Sequence, residues 1–392
     1  MHPAVLSPAL LTRAERVRSY GILSTFPPTS CGIATFSAAL SAGLIADGAS
    51  VDVVRCGAGP EIEDALVVAT LADDRASGAI AALNAVDVAI VQHEYGLYGG
   101  LDGDAVVTLM EAIDVPLVAV AHTVLQAPSA HQRVVLERVC ALADVVVVMT
   151  ETARVRLAAG FDVDGSKIVV IAHGAATPPV PCAPSLTSGR PVGHPARLLT
   201  WGLLGPGKGI EWAIDALALL TDVAPQPQYV IAGATHPKVR EQSGEVYREM
   251  LVARSETSGA AGSIAFDDTY RDLASLNELI TSADVVVLPY DSKDQVTSGV
   301  LVDAVAAGIP VVATAFPHAR ELLASGAGIV VPQRDPAALA AAIRSIVTDP
   351  ARAEAMRAEA RRLAPSLSWG AVARQYSRLA DRLLPVCTAV AS

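Results

Sequence analysis

The residues best placed to do chemistry lie between Asp284 and Pro332, at the ends of apolar runs. Val285–Leu288 is a β-branched run that stops at Pro289 and predicts a buried strand. A polar loop, Asp291–Thr297, follows, and Ser298 is placed to cap a helix of small residues over Gly299–Ala307. Gly308 suits the left-handed position after that helix, and Pro310 opens a second strand at Val311–Ala313. The pattern is a βαβ unit with parallel strands and a right-handed crossover. A helix that starts at the carboxyl end of a parallel strand turns unpaired N–H groups and a positive dipole end into the crevice above the sheet, where a nucleotide phosphate is the usual anion. Gln295 and Asp303, eight positions apart, can both face such a ligand. The same stretch also reads as an ordinary βαβ unit of a large α/β protein.

A second candidate is Gly202-Leu203-Leu204-Gly205-Pro206-Gly207-Lys208-Gly209. It nearly matches the phosphate-binding loop GxxxxGK[ST], but Gly209 replaces the hydroxyl that would hold magnesium. That argues against ATP hydrolysis and for a glycine-rich turn with Lys208 facing a diphosphate from a solvated cleft. A third loop, Thr25–Gly32, opens a helix through Leu44, and Gly32 lets main chain approach a phosphate or a sugar hydroxyl. Further polar residues follow apolar runs: His93 with Glu94, His122 with Thr123, Thr150 with Glu151, and His173. In open α/β sheets the ligand crevice lies beyond the carboxyl ends of the strands, so several such residues in one half of the chain point to a site. None has the spacing of a metal cage.

The elements that must position these residues form two series. Strands are expected at Tyr20–Ser24, Val51–Arg55, Val86–Gln92, Pro116–Ala121, Val145–Met149 and Ile168–Ile171, most of them separated by helical patterns. Ala176–Pro195 is rich in Pro, Gly and Ser and reads as a linker. The second series runs Arg197–Thr200, Tyr229–Ala232, Ser263–Phe266, Val285–Leu288, Val311–Ala313 and Ile329–Val331. A helix at Pro336–Val347, a mixed-charge segment at Pro350–Leu363 expected to be a solvated face, and a helix through Leu384 close the chain. The fold class is α/β, with two Rossmann-like doubly wound domains facing a cleft. The expected division is 1–182, a linker at 183–196, 197–365, and a terminal helix within 366–392, with residues 1–18 a ragged leader.

Bulk properties agree with this. The 392 residues suffice for two cores, and 52% hydrophobic with 18% charged residues is a globular composition. A net charge of −11, with no run of Lys or Arg, argues against a nucleic-acid partner. Cys31, Cys56, Cys140, Cys182 and Cys387 are scattered, odd in number and free of CxxC pairs, which predicts reduced thiols in a cytoplasmic protein. The N-terminus lacks the cationic start of a signal peptide, and no apolar run reaches membrane-spanning length.

With both halves in view, the chain resembles the retaining family-four glycosyltransferases of the GT-B fold along essentially its whole length. CGIATF at 31–36, His122-Thr123, GLLGPGKGI at 202–210 and the 284–332 stretch carry the likeness, and Ser368-Trp369 resembles the family's closing segment, which crosses back onto the first domain. The resemblance implies a metal-independent hexosyl transfer from a UDP- or GDP-sugar co-substrate, with no cofactor, to an unknown sugar or glycoconjugate acceptor. It implies that His122 and Lys208 are catalytic. It places the donor against Gly32, Gly207, Gln295, Ser298, Gly299, Val300 and Asp303, and the acceptor on the side of His93 and Glu94. Two departures stand out: Leu203 replaces an arginine, and Gln295 with Asp303 replaces a pair of glutamates. They keep open sugar-nucleotide epimerisation, glycoside phosphorolysis or non-catalytic binding.

Overall fold

The computed structural model describes residues 17–29, 31–57, 64–71, 76–175, 193–269 and 271–384. The expected leader at 1–18 and the linker at 183–196 fall largely outside them, as do Cys182 and Cys387. Two parallel sheets carry the chain. The first contains β1 (Ser19–Ser24), β2 (Ser50–Arg55), β3 (Val67–Thr70), β4 (Val88–His93), β5 (Leu117–Ala121), β6 (Val145–Val148) and β7 (Ile168–Val170), in the order β3-β2-β1-β4-β5-β6-β7. The second contains β8 (Arg197–Trp201), β9 (Gln228–Ala232), β10 (Ile264–Asp267), β11 (Val285–Leu288), β12 (Val311–Thr314) and β13 (Gly328–Val331), in the order β10-β9-β8-β11-β12-β13. Every position of β4, β5, β6, β11 and β12 is buried, as expected of Val- and Ala-rich strands with helices on both faces.

In each sheet the strand order reverses once, between β1 and β4 in the first and between β8 and β11 in the second. Loops leaving the two strands at such a point diverge to opposite faces and open a crevice at their carboxyl ends. The Thr25–Gly32 loop and His93 therefore share one crevice edge, and Lys208 and Ser298 share the other.

Two sequence expectations are corrected. Strand β3 was not expected: it is a half-exposed edge strand that pairs only with β2, through a register shift between Val53 and Val54. The segment at Pro350–Leu363 is part of one longer helix, Pro350–Leu367, and is not solvated throughout. Arg357 is buried with Ala353, Met356 and Ala360, a helical stripe, because this helix packs on Gly299–Ala306 and Pro336–Val347.

The chain then returns to the first sheet. The Ala175 N–H donates to the Leu367 carbonyl at 2.7 Å, and the Trp369 N–H donates to the Ala175 carbonyl at 3.3 Å. Helix Trp369–Leu383 lies on helix Gly32–Ala46, and its Val372, Ala373, Tyr376 and Leu379 complete the core around Tyr20, Phe36, Leu40 and Leu44. At the crossing, a Cβ on Gly174 would meet the Trp369 indole at 2.3 Å, so only glycine admits the ring there. Cys31, Cys56 and Cys140 are free thiols. No helix among the described residues is long and apolar enough to cross a membrane.

Two imidazoles are enclosed by these cores: His93 at the end of β4, 1% exposed, and His318 after β12, 5% exposed. Burial disfavours their charged forms and pushes their pKa values down to about 4 and about 3. Both would titrate near ~6.5 in the unfolded chain, so below that pH unfolding takes up protons. Their contribution is complete above about pH 6.5 and is lost as pH falls towards the folded values. Each of the two adds about 1.4 kcal/mol per pH unit to the slope between roughly pH 6 and 4. Urea unfolding across this range should show that loss. His93→Met should lower the slope by about 1.4 kcal/mol per pH unit while changing stability at pH 7.5 by about 1 kcal/mol or less, since neither ring nitrogen of His93 has a hydrogen-bond partner to lose. An unchanged slope in His93→Met would refute the assignment.

Candidate active site

The second crevice is built around helix Gly299–Ala306. Its cap, Ser298, accepts from the Leu301 N–H at 3.3 Å through its side chain and donates its own N–H to Nδ1 of His318 at 2.8 Å. The N–H groups of Gly299 and Val300 have no partner among the described residues. Two adjacent free amides at a positive helix end form an anion site. Because Nδ1 of His318 accepts, the neutral ring carries its proton on Nε2.

The glycine loop after β8 docks beside this helix. Gly209 adopts φ 64°, and a Cβ there would lie 1.9 Å from the Pro289 carbonyl oxygen, so the loop can reach β11 only with glycine at this position. The Gly207 carbonyl accepts from the Asp291 N–H at 2.9 Å. Val300 lies 3.7 Å from the Cβ position of Gly202. The Lys208 ammonium sits 4.4 Å from the centre of the Tyr290 ring, and burial lowers its pKa. Its expected placement in a solvated cleft is thereby corrected: the amine is half-buried on an aromatic face, with no carboxylate partner among the described residues.

Gln295 donates its side-chain amide to the Thr297 carbonyl, and its backbone carbonyl accepts from the His318 backbone N–H at 3.3 Å. The second N–H of that amide and its oxygen stay available to a sugar hydroxyl. Asp303 is half-buried on the second turn of the helix.

On the first crevice, Cys31 caps helix Gly32–Ala46, its Sγ accepting from the Ala34 N–H at 3.3 Å. Gly32 is exposed, with nothing within 4 Å of its Cβ position. Nε2 of His122 lies 2.7 Å from Oε1 of Gln92, the ring meets Phe36 edge-on at 4.9 Å, and burial pushes its pKa down to about 3. With the Gln92 oxygen as acceptor, His122 is a neutral imidazole protonated on Nε2.

The expectation that the His93 side chain meets an acceptor is corrected. Side chains alternate along β4, and the ring of His93 is enclosed against Tyr95 while Gln92 turns to His122. Glu94 is half-buried, and its carboxylate accepts from the Gly96 N–H at 2.7 Å. The Lys238 ammonium reaches the Gly96 carbonyl from the other domain at 3.4 Å.

His173 joins the two crevices. Its Nδ1 lies 2.6 Å from the Gly174 carbonyl, and its ring is held between Phe36 and Trp369 with centroid distances of 5.1 and 5.6 Å. Its Cε1 and Nε2 both lie 3.0 Å from the Cβ position of Gly299, at the start of helix Gly299–Ala306.

Further contacts fix the domains together. Thr150 Oγ1 donates to the Val296 carbonyl at 3.0 Å. Asp294 accepts from the Gln126 N–H at 2.8 Å and from Arg156 at 3.2 Å. The Glu321 carboxylate caps helix Glu151–Gly160 through the N–H groups of Glu151 and Thr152, at 2.7 and 2.9 Å. Gln92, Arg156, His318 and Glu321 were missed from the sequence. Applying the strand-end rule to β12 would have found His318; no local signal marks the others. Among the described residues no group of three or more His, Cys, Asp or Glu is arranged to hold a metal ion.

Comparison with known proteins agrees with this geometry. Residues 31–177 match the family model described as Glycosyltransferase Family 4, and residues 189–363 match Glycosyl transferases group 1. The chain is 29% identical over 299 residues to a D-inositol 3-phosphate glycosyltransferase of Kineococcus radiotolerans, covering 66% of this chain and 64% of that protein. It is 32% identical over 186 residues to a glycogen synthase of Mycobacterium tuberculosis, covering 47% of this chain and 42% of that one. The match thus spans less than two thirds of either relative. Among solved structures, Anabaena Alr3699/HepE in complex with UDP superposes with a TM-score of 0.71 at 18% identity, covering 94% of this chain and 100% of that one. Sucrose-phosphate synthase from Thermosynechococcus elongatus gives 0.73 at 21%, covering 93% and 99%. The two parallel-sheet domains thus have the GT-B fold, and each half matches a glycosyltransferase family model, Glycosyltransferase Family 4 on the first and Glycosyl transferases group 1 on the second.

Proposed function

We propose that the protein transfers a hexose with retention from a UDP- or GDP-sugar to an acceptor held on the Glu94 side of the cleft, with Gly32 near the donor phosphate and His122 near the transferred sugar, without a metal ion. The observation that carries this reading is the pair of open amides at Gly299 and Val300 in the same crevice as Lys208, which has no carboxylate partner among the described residues. A helix end and one cation are the means of stabilising a departing diphosphate without a divalent ion. The UDP and UDP-glucose complexes of Anabaena HepE support a nucleotide-sugar donor. A thermal-shift screen of nucleotides and nucleotide sugars tests the reading, since a ligand that binds only the folded state raises Tm by mass action. UDP or GDP and their sugars should stabilise; stabilisation by adenosine triphosphate alone would refute it.

Charge grows on the diphosphate as the sugar departs, so a contact from Lys208 strengthens in the transition state. Lys208→Ala should lower kcat by about a hundredfold or more, with a smaller loss of donor affinity. Removing the ammonium from the Tyr290 face also costs roughly 0.5–2 kcal/mol of stability, read as a modest fall in Tm. Near-normal turnover in the folded variant would exclude the role. Turnover should survive chelation of divalent ions; an absolute requirement for added manganese or magnesium would overturn the metal-free mechanism.

Asp303, on the helix, is assigned to the ribose, and Gln295 to the sugar. Asp303→Ala should weaken nucleotide diphosphate and nucleotide sugar alike, by about 1.5–3 kcal/mol for a charged hydrogen bond. Gln295→Ala should spare the bare nucleotide and weaken only the sugar-bearing ligand, by about 0.5–1.5 kcal/mol. Equal effects of both changes on the bare nucleotide, measured calorimetrically, would refute the division.

A further inference from the structure

We propose that His173 is a direct ligand of the donor diphosphate and takes a proton on Nε2 when the nucleotide binds. The inference rests on the nucleotide-sugar reading and adds a residue and a proton to it. The Gly174 carbonyl can only accept, so Nδ1 of His173, 2.6 Å away, carries the ring proton. In the neutral ring Nε2 is then a bare lone pair. That edge of the ring lies over Gly299, whose Cβ position is 3.0 Å from Nε2, beside the open amides of Gly299 and Val300. An anion drawn to those amides meets the lone pair, which repels it, unless the nitrogen is protonated and donates.

The ring cannot swing away cheaply. Phe36 and Trp369 hold it on two sides, and Trp369 is itself seated on Gly174. The groups facing it are the uncharged rings of Phe36 and Trp369, the Gly174 carbonyl, the backbone at Gly299, and two titratable residues, His122 and His318. No carboxylate or cation pairs with His173 among the described residues. Burial holds its pKa down at about 4 in the empty cleft, so the ring is neutral before a ligand arrives.

The other two imidazoles are less suited to the task. His318 already accepts the Ser298 N–H at Nδ1, and a proton there would break the contact that orients the helix start. Nε2 of His122 is occupied by Gln92. A nucleoside diphosphate brings two or more negative charges, and an opposite charge at hydrogen-bond distance raises a histidine pKa. The proton enters from solvent with the nucleotide and leaves with it.

Calorimetry of UDP-glucose binding to the full chain at pH 6.5, in buffers of different ionisation enthalpy, reads the proton directly, because the diphosphate of a nucleotide sugar, unlike the terminal phosphate of UDP, has no group titrating near this pH; GDP-glucose replaces it if the thermal screen favours guanosine. Wild type should take up roughly 0.5–1 proton per nucleotide. His173→Asn, whose amide can still donate to the Gly174 carbonyl, should take up none and bind about tenfold more weakly at pH 6.5, with a smaller deficit at pH 8.5. His122→Gln should retain the uptake. No uptake in wild type, or full uptake in His173→Asn, overturns the proposal. Should His173→Asn fail to fold, nitrogen-15 histidine spectra of wild type decide: Nδ1–H tautomer free and a doubly protonated ring with UDP support it, and an unchanged tautomer overturns it. A wild-type protein stabilised by no nucleotide at all refutes the donor reading as well, whereas nucleotide binding without proton uptake removes only the role of His173.

Discussion

The 2.8 Å contact from the Ser298 N–H to Nδ1 of His318 governs how the second crevice is organised. A helix start exposes several amides, and all of them left open would define a diffuse field with no preferred geometry. Here Ser298 uses its hydroxyl on Leu301 and gives its own N–H to a buried ring. What remains is an adjacent pair, Gly299 and Val300, with a fixed direction. His318 does this because burial keeps it neutral; a charged ring would be a donor at both nitrogens and could not accept. The core around β12 and the anion site are therefore one construction.

The same economy ties the domains to each other. Helix Trp369–Leu383 belongs to the core of the first sheet, yet Trp369 also packs on Gly174 and His173, which face the helix of the second. The loop that carries Gln295 is held by Thr150, Gln126 and Arg156 from the first domain. Neither crevice is complete on its own. Glycosyl transfer must keep water from the sugar, and a loop fastened from the opposite domain would meet that need in a shut cleft.

How far the sequence reveals this follows from the range over which each feature is encoded. The second βαβ unit is legible because strand, cap, helix and stop are consecutive: Val285–Leu288, Ser298, Gly308 and Pro310 each act on immediate neighbours. Lys208 is legible for the same reason, within a run of glycines. The edge strand β3 is not, because four half-exposed residues carry no periodicity and are held only by β2. His93 misleads, because the strand-end rule locates a residue along the strand but not the face its side chain takes, and a one-residue change of face exchanges His93 for Gln92. Arg156, Glu321 and the placement of His173 over Gly299 depend on contacts more than a hundred residues apart in sequence. No local pattern records those.

The chain carries a net charge of −11 and is nevertheless assigned an anionic donor. The two facts are compatible because exposed charges are screened beyond about 8 Å at physiological ionic strength, whereas groups inside a cleft are screened far less. What the diphosphate would meet is local: the ends of two helices, at Gly32 and Gly299, and one ammonium held on an aromatic face. The surrounding imidazoles of His122, His173 and His318 add no charge while the cleft is empty, since burial keeps each neutral. An empty cleft crowded with fixed cations would be costly to desolvate and would attract any passing anion. Neutral imidazoles avoid that cost.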